Sequence, residues 1–114
     1  MKILTDSDRD IAEAEKILSA GGVVAFPTET VYGLGAISTS DKAVSKVFRV
    51  KNRPKFNPLI IHVENTEMAL KLCSFSKKAS LLAKKFWPGP LTIIAKKKTN
   101  ISISALATAG LDTI

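Results

Sequence analysis

The 114-residue chain has 46% apolar and 24% charged residues, which is typical of a globular protein and not of a disordered one. No apolar run approaches the ~20 residues that a membrane-spanning helix requires, and the N-terminal segment does not resemble a signal peptide. The single cysteine, Cys73, excludes an internal disulfide framework, so we expect a reducing, cytoplasmic location and a buried thiol. We expect one domain over residues 1–114.

The net charge of +7 is unevenly distributed along the chain. Residues 1–48 carry five Lys/Arg against seven Asp/Glu, whereas residues 49–114 carry twelve against three. A basic half attracts anions such as a nucleotide, a phosphate group or RNA. Its lysine clusters, at 77–78, 84–85 and 96–98, are also typical of a solvated surface, and the sequence leaves both interpretations open.

The first part of the chain predicts strands and a helix in alternation. Residues 2–5 and 22–26 are short apolar runs typical of strands, and residues 8–20 carry apolar side chains at helical spacing. Gly21 and Gly22 are expected to end this helix. The continuous apolar run at 22–26 predicts a strand buried on both faces. The order strand, helix, strand predicts the α/β class.

A second helix is expected to begin at Ser40 or Asp41 and to carry Val44, Val47 and Phe48 as its apolar stripe. Prolines predict extended backbone in the segment 49–58 that follows. The remaining predicted elements are strands at 59–63 and 91–95, helices beginning at Thr66 and Ser76, a rigid turn at 87–90, and the start of a strand at the C-terminus.

Residues 26–36, FPTETVYGLGA, place polar side chains directly after an apolar strand. In open α/β sheets, ligands bind outside the carboxyl ends of the strands. Thr28 and Thr30 offer hydroxyls there, and Gly33 and Gly35 would let another group approach the backbone closely. The same residues are typical of a capped turn without a ligand. The sequence leaves both interpretations open.

Residues 49–57, RVKNRPKFN, contain alternating cations. Lys51 and Arg53 lie two apart in the predicted extended segment, so both side chains would point to the same side. Two cations on one face suit a triphosphate, and Asn57 continues their row. A basic loop exposed to solvent is the alternative.

His62 is the only histidine and lies among the apolar residues of the predicted strand 59–63. A histidine in this setting is commonly hydrogen-bonded within a core, although it could instead face a cavity and bind a polar ligand. No second His or Cys accompanies it at ligand spacing, so no metal site is predicted. The chain has no P-loop and no G-x-G-x-x-G fingerprint, and any nucleotide would be bound in another way.

Three blocks, FPTETVYGLGA, KNRPKFNPLIIHV and FWPGPLTII, resemble in this order the YrdC-like family of threonylcarbamoyl-AMP synthases. The resemblance covers Ile11 to Ile114. It implies an α/β fold with a twisted mixed sheet and flanking helices around a basic concave cavity. The family's domain is longer, and its later S-x-N motif and an arginine would lie beyond Ile114. We therefore expect this chain to be a truncated N-terminal portion of the domain, incomplete at the C-terminus. The resemblance does not imply that this portion is active by itself.

The resemblance implies that L-threonine, bicarbonate and ATP are joined into threonylcarbamoyl-AMP with release of pyrophosphate. A partner enzyme would then transfer the threonylcarbamoyl group to adenosine 37 of tRNA. Mg²⁺ is expected with the triphosphate, bound mainly through phosphate oxygens. The alternative is a non-catalytic module that binds nucleotide or RNA, such as tRNA or double-stranded RNA. A similar module also occurs in a hydrogenase maturation protein, where acylphosphatase-like and zinc-finger segments would precede it, and these 114 residues contain neither.

The resemblance also implies roles for particular residues. Thr30 and His62 would bind the substrate threonine. The residues implied at the nucleotide are Lys51, Arg53, Asn57 and Thr113. Lys51 and Arg53 would also be catalytic, because they would neutralise the charge that develops at the phosphates.

Overall fold

The computed structural model describes all residues from Met1 to Ile114. The elements in chain order are α1 (Asp8–Ser19), β1 (Val23–Phe26), β2 (Gly33–Ala36), α2 (Asp41–Lys51), α3 (Thr66–Leu72), β3 (Cys73–Ser74), α4 (Lys77–Phe86) and β4 (Lys96–Lys97). The chain divides into two compact units, Met1–Pro54 and Lys55–Ile114. None of the helices has the length and apolar character that crossing a membrane requires.

The first unit contains an antiparallel hairpin of β1 and β2, in which Val23 pairs with Ala36 and Phe26 with Gly33. The predicted mixture of helices and strands is confirmed. The prediction that β1 is buried on both faces is wrong, because its residues are half-buried or exposed. The structure has two separate two-stranded sheets, β1 with β2 and β3 with β4, where the resemblance implied one mixed sheet.

The two glycines of β2 make room for a phenylalanine ring. A Cβ added to Gly35 would lie 2.7 Å from Cε1 of Phe26, and one added to Gly33 would lie 3.3 Å from its Cζ. The Phe26 ring therefore lies against the glycine face of β2. The close approach that Gly33 and Gly35 allow is therefore used on this face by a side chain of the same chain.

The predicted end of α1 is confirmed and has the geometry of a Schellman motif. Gly21 adopts a positive φ of 77°. Its N–H donates to the Leu18 carbonyl at 2.9 Å, and the N–H of Gly22 donates to the Ile17 carbonyl at 2.8 Å. Glycine is favoured at this position because it has no Cβ to oppose the left-handed conformation.

Residues 2–5, predicted as a strand, form no strand. Thr5 is instead held by Asp10, whose carboxylate accepts the backbone N–H of Thr5 at 2.7 Å and its hydroxyl at 2.8 Å. These hydrogen bonds, the backbone one foremost, lower the pKa of Asp10. Hydrogen bonds to the first turn of α1 thus replace the strand pairing that was expected for residues 2–5.

The core of the first unit lies on one face of α2, where Val44, Val47 and Phe48 are all buried, as their spacing predicted. Burying an aliphatic or aromatic side chain of this size contributes about 1.5–3 kcal/mol. The helix begins at the predicted place, because the Ser40 hydroxyl accepts the N–H of Ala43 at 3.2 Å. It packs on both strands of the hairpin.

The second unit has fewer ladder strands than predicted. Residues 59–63 and 91–95 alternate between half-buried and exposed, as predicted strands would, but neither segment is a strand of a sheet. A strand ladder needs a neighbouring strand. In the segment 59–63 the backbone N–H of Leu59 donates instead to the Ala107 carbonyl, at 2.8 Å, and Ala107 is not in a strand. The predicted C-terminal strand does find a partner, since Ile114 exchanges two backbone hydrogen bonds of 2.9 Å with Ala95.

In the second unit the predicted helix starts at Thr66 and Ser76 and the turn at 87–90 are confirmed, whereas residues 55–57, predicted as extended, form a turn and a bend. Ser76 caps α4 by accepting the N–H of Ala79 at 3.1 Å. The helix stops at Phe86, and in the turn that follows the indole N–H of Trp87 donates to the Leu91 carbonyl at 2.7 Å. Cys73 is buried, as predicted, and its burial raises the pKa of the thiol.

We expect Gly35→Ala to lower the free energy of unfolding by about 1–3 kcal/mol, because overpacking forces neighbouring groups to shift. The new methyl would lie 2.7 Å from the Phe26 ring. Gly33→Ala is the matched control, since its methyl would lie 3.3 Å from the same ring and should cost less. Urea denaturation followed by circular dichroism measures both variants. Equal losses would contradict the packing described for Gly35.

Candidate functional site

The connection between β1 and β2 carries two exposed hydroxyls, those of Thr28 and Thr30. Thr28 Oγ1 donates to the Val31 carbonyl and accepts the backbone N–H of Thr30 at 3.2 Å. The two hydroxyl oxygens lie 3.4 Å apart. The structure therefore holds a compact hydroxyl pair just beyond the carboxyl end of β1. The contact of Thr30 with a substrate threonine stays a prediction.

Lys51 is the last residue of α2, so the prediction that it lies in an extended segment with Arg53 is wrong. Asn52 follows in the left-handed conformation, with φ 48° and ψ 40°. The N–H of Arg53 then donates to the carbonyl of Phe48 at 2.9 Å. This hydrogen bond closes a Schellman motif in which Asn52 takes the place that glycine takes after α1. Lys51 and Arg53 therefore flank a helix end.

This helix end still concentrates cations. Arg49 and Lys51 lie in the last turn of α2, where the negative end of the helix dipole favours positive charge. Lys51 is exposed and Arg53 is half-buried. The signal that could have located this end is Asn52 itself, because asparagine tolerates the left-handed region and a proline commonly follows a helix terminus.

Asn57, His62 and Thr113 belong to the second unit. Asn57 is half-buried, and His62 lies on the exposed side of the alternating segment 59–63. The interpretation of His62 as a core histidine is therefore wrong. Thr113 is exposed and forms an isolated antiparallel bridge with Lys96. Their contacts with threonine or nucleotide stay predictions.

One cavity of about 340 Å³ lies in the first unit, between the end of α1 and the start of α2. Its lining includes Ser40, Lys42 and Lys46, and the Nζ of Lys46 donates to the Gly21 carbonyl at 2.6 Å. None of the predicted site residues lines this cavity. The basic concave cavity that the resemblance implies stays a prediction.

Comparison with known proteins defines the class of this chain. The family model for Sua5, YciO and YrdC proteins, described as "Telomere recombination", matches residues 16–114. The chain therefore belongs to the Sua5/YciO/YrdC family. Within that family, it is similar to proteins named threonylcarbamoyl-AMP synthase.

The similarity to these synthases is high but covers only part of their length. The Bacillus subtilis enzyme is 45% identical over 112 residues, which is 97% of this chain and 32% of that protein. The Psychromonas ingrahamii enzyme is 36% identical over 96 residues, which is 82% of this chain and 50% of that protein. The chain thus spans half or less of the length of these relatives.

A solved structure confirms the predicted YrdC-like fold. The crystal structure of Pyrococcus abyssi Sua5 complexed with L-threonine matches with a TM-score of 0.88 and 43% identity. The match covers 95% of this chain and 32% of that one. The helices and short antiparallel sheets described above are therefore the architecture of a Sua5-type domain over the matched length.

We expect Asn52→Val to lower the free energy of unfolding by about 1–2 kcal/mol, because a side chain with a branched Cβ opposes the left-handed conformation. Asn52→Gly is the matched control and should leave stability nearly unchanged, since glycine adopts this conformation without strain. Thermal unfolding followed by circular dichroism compares the two. Similar losses in both variants would show that the backbone conformation is not the cause.

Proposed function

We propose that this protein forms threonylcarbamoyl-AMP and pyrophosphate from L-threonine, bicarbonate and ATP. The observation that carries the proposal is the 45% identity to a threonylcarbamoyl-AMP synthase over 97% of this chain. The match to Sua5 complexed with L-threonine supports the same substrate. In this proposal a cytoplasmic partner enzyme then transfers the threonylcarbamoyl group to adenosine 37 of tRNA.

The reaction needs two steps, which determine what the site must provide. The amine nitrogen of threonine attacks the carbon of bicarbonate, and water leaves as the carbamate forms. A carbamate oxygen then attacks the α-phosphorus of ATP, and the bond to the β-phosphate breaks to release pyrophosphate. Two anions must therefore meet, so the protein has to align them and neutralise the charge between them.

Lys51 and Arg53 suit the neutralising role. Lys51 ends α2 and is exposed, and Arg53 follows two residues later and is half-buried. A guanidinium presents a fork of N–H donors that matches phosphate oxygens, and an ammonium adds a compact charge. In this proposal Asn57 and Thr113 also contact the nucleotide, while Thr30 and His62 bind threonine.

Mg²⁺ would neutralise part of the triphosphate charge in this reaction. The side chains offer no group of three or more His, Cys, Asp or Glu that could hold a metal ion. The residues therefore fit an ion held through phosphate oxygens and water, as Mg²⁺ commonly is at nucleotide sites. Lys51 and Arg53 would bind the phosphate oxygens that the ion leaves open.

The test is pyrophosphate release from ATP by the purified 114-residue chain, with and without L-threonine and bicarbonate. Binding of L-threonine and ATP is measured in parallel by calorimetry. Release that requires both co-substrates supports the proposal. ATP binding without release, together with steeply salt-dependent RNA binding that threonine does not change, would favour the non-catalytic nucleotide- or RNA-binding module.

We expect Arg53→Ala to lower threonine-dependent pyrophosphate release by about 10²–10³-fold, the usual effect of removing one electrostatic donor. Arg49→Ala is the matched control, because Arg49 lies in the last turn of α2, four residues before Arg53, and has no predicted role. Thermal melting checks that both variants remain folded. Turnover at the wild-type rate in a folded Arg53→Ala variant would refute the phosphate role.

We expect Thr30→Ala to raise the KM for L-threonine by up to about tenfold, the loss of one hydrogen bond, and to change the KM for ATP little. Thr39→Ala is the control, since Thr39 is another exposed threonine of the first unit. Initial rates at varied threonine and varied ATP separate the two constants. An unchanged threonine KM would remove Thr30 from the threonine site.

A further inference from the structure

The hydroxyl of Thr28 makes three contacts within the loop, although the resemblance implies no role for this residue. Thr28 Oγ1 donates to the Val31 carbonyl, accepts the N–H of Thr30 at 3.2 Å, and lies 3.4 Å from Thr30 Oγ1. Its methyl carbon lies 3.5 Å from where a Cβ on Gly33 would lie. The side chain therefore joins the loop on one side to the glycine face of β2 on the other.

Counting protons settles the direction of the contact between the two hydroxyls. A hydroxyl has one proton to donate and two lone pairs to accept with, whereas a carbonyl oxygen can only accept. The proton of Thr28 must therefore lie on the bond to the Val31 carbonyl. The backbone N–H of Thr30 takes one lone pair of Thr28. Only acceptor capacity remains for the other hydroxyl, so in a hydrogen bond between the two oxygens, which lie 3.4 Å apart, Thr30 is the donor.

Thr30 is exposed, and its hydroxyl proton is directed towards the hydroxyl oxygen of Thr28. We infer that Thr28 is a positioning residue that fixes the Thr30 hydroxyl as a hydrogen-bond acceptor for the amino-acid substrate. Thr30 then receives an N–H or O–H of the substrate, from its amine or its side-chain hydroxyl. It does not receive the carboxylate, which can only accept hydrogen bonds. The identity of the substrate rests on the function proposed above, whereas the hydrogen-bond arrangement does not.

Two substitutions at Thr28 separate the hydroxyl from the methyl group. Thr28→Val keeps the shape and the methyl contact but loses the hydroxyl, and Thr28→Ser keeps the hydroxyl but loses the methyl group. We expect Thr28→Val to raise the KM for L-threonine about tenfold, the cost of losing the orientation of one hydrogen bond. The KM for ATP and kcat should change less than twofold, and Thr28→Ser should restore most of the threonine affinity. Thr39→Val controls for the loss of an exposed hydroxyl elsewhere in the same unit.

Two results of this series would overturn the inference. An unchanged threonine KM in Thr28→Val would show that the hydroxyl does not position Thr30. Equal losses in the valine and serine variants would show that the effect does not follow the hydroxyl, since only the valine variant lacks it.

The acceptor role of Thr30 is tested with L-threoninol, in which a neutral CH₂OH group replaces the carboxylate. Binding of L-threonine and L-threoninol is compared in the wild type and in Thr30→Val. We expect the same fold loss for both ligands, because both retain the amine and the side-chain hydroxyl. A loss for L-threonine alone would mean that Thr30 contacts the carboxylate, and the inference would be overturned.

Hydrogen exchange distinguishes this inference from the proposed function. The N–H of Thr30 donates to Thr28 Oγ1, so its amide should exchange faster in Thr28→Val and at the wild-type rate in Thr28→Ser. If that pattern holds but the wild type releases no pyrophosphate, the hydrogen-bond arrangement stands and the proposed function fails. If the wild type is active and the exchange rate is the same in Thr28→Val, the inference fails and the proposed function stands.

Discussion

The contact between the Phe26 ring and the glycine face of β2 determines where the candidate residues of the hairpin loop lie. Phe26 is the last residue of β1 and pairs with Gly33, the first residue of β2. The ring has room there chiefly because Gly35 has no Cβ, since a Cβ on Gly33 would lie farther from the ring. The loop between the strands therefore starts and ends at a fixed place, and Thr28 follows two residues after the ring. Packing that concerns no ligand thus positions the hydroxyl pair.

Helix α2 connects the core of the first unit to its cations in a similar way. The side chain of Phe48 is buried, and its backbone carbonyl accepts the N–H of Arg53 at 2.9 Å. The same residue therefore anchors the helix in the core and fixes the backbone of an arginine expected at the phosphates. A substitution that loosens Phe48 would change the direction of that arginine as well as the stability of the fold.

Features that depend on residues close together in the chain could be predicted from the sequence. Features that depend on contacts with distant residues could not. The glycine stop after α1 and the serine caps at Ser40 and Ser76 act within one turn, so a short pattern contains them. The segments 59–63 and 91–95 have the composition of strands, but a ladder also depends on a partner that no local pattern specifies. The hydroxyls beyond β1 could be predicted, whereas the Phe26 ring on the glycines is a contact between strands. Among the cations, the prolines favour extended backbone, whereas the left-handed conformation of Asn52 lets α2 continue as far as Lys51.

The burial of Cys73 makes this side chain a natural reporter on the second unit. It is the only thiol of the chain, and it lies at the junction of α3 and β3 with 5% of its surface exposed. A thiol reagent can reach it only when this junction opens, so the modification rate follows the free energy of that opening. The first unit has no cysteine and leaves the signal unchanged. Ligands that stabilise the second unit could therefore be recognised by slower labelling, without any introduced probe.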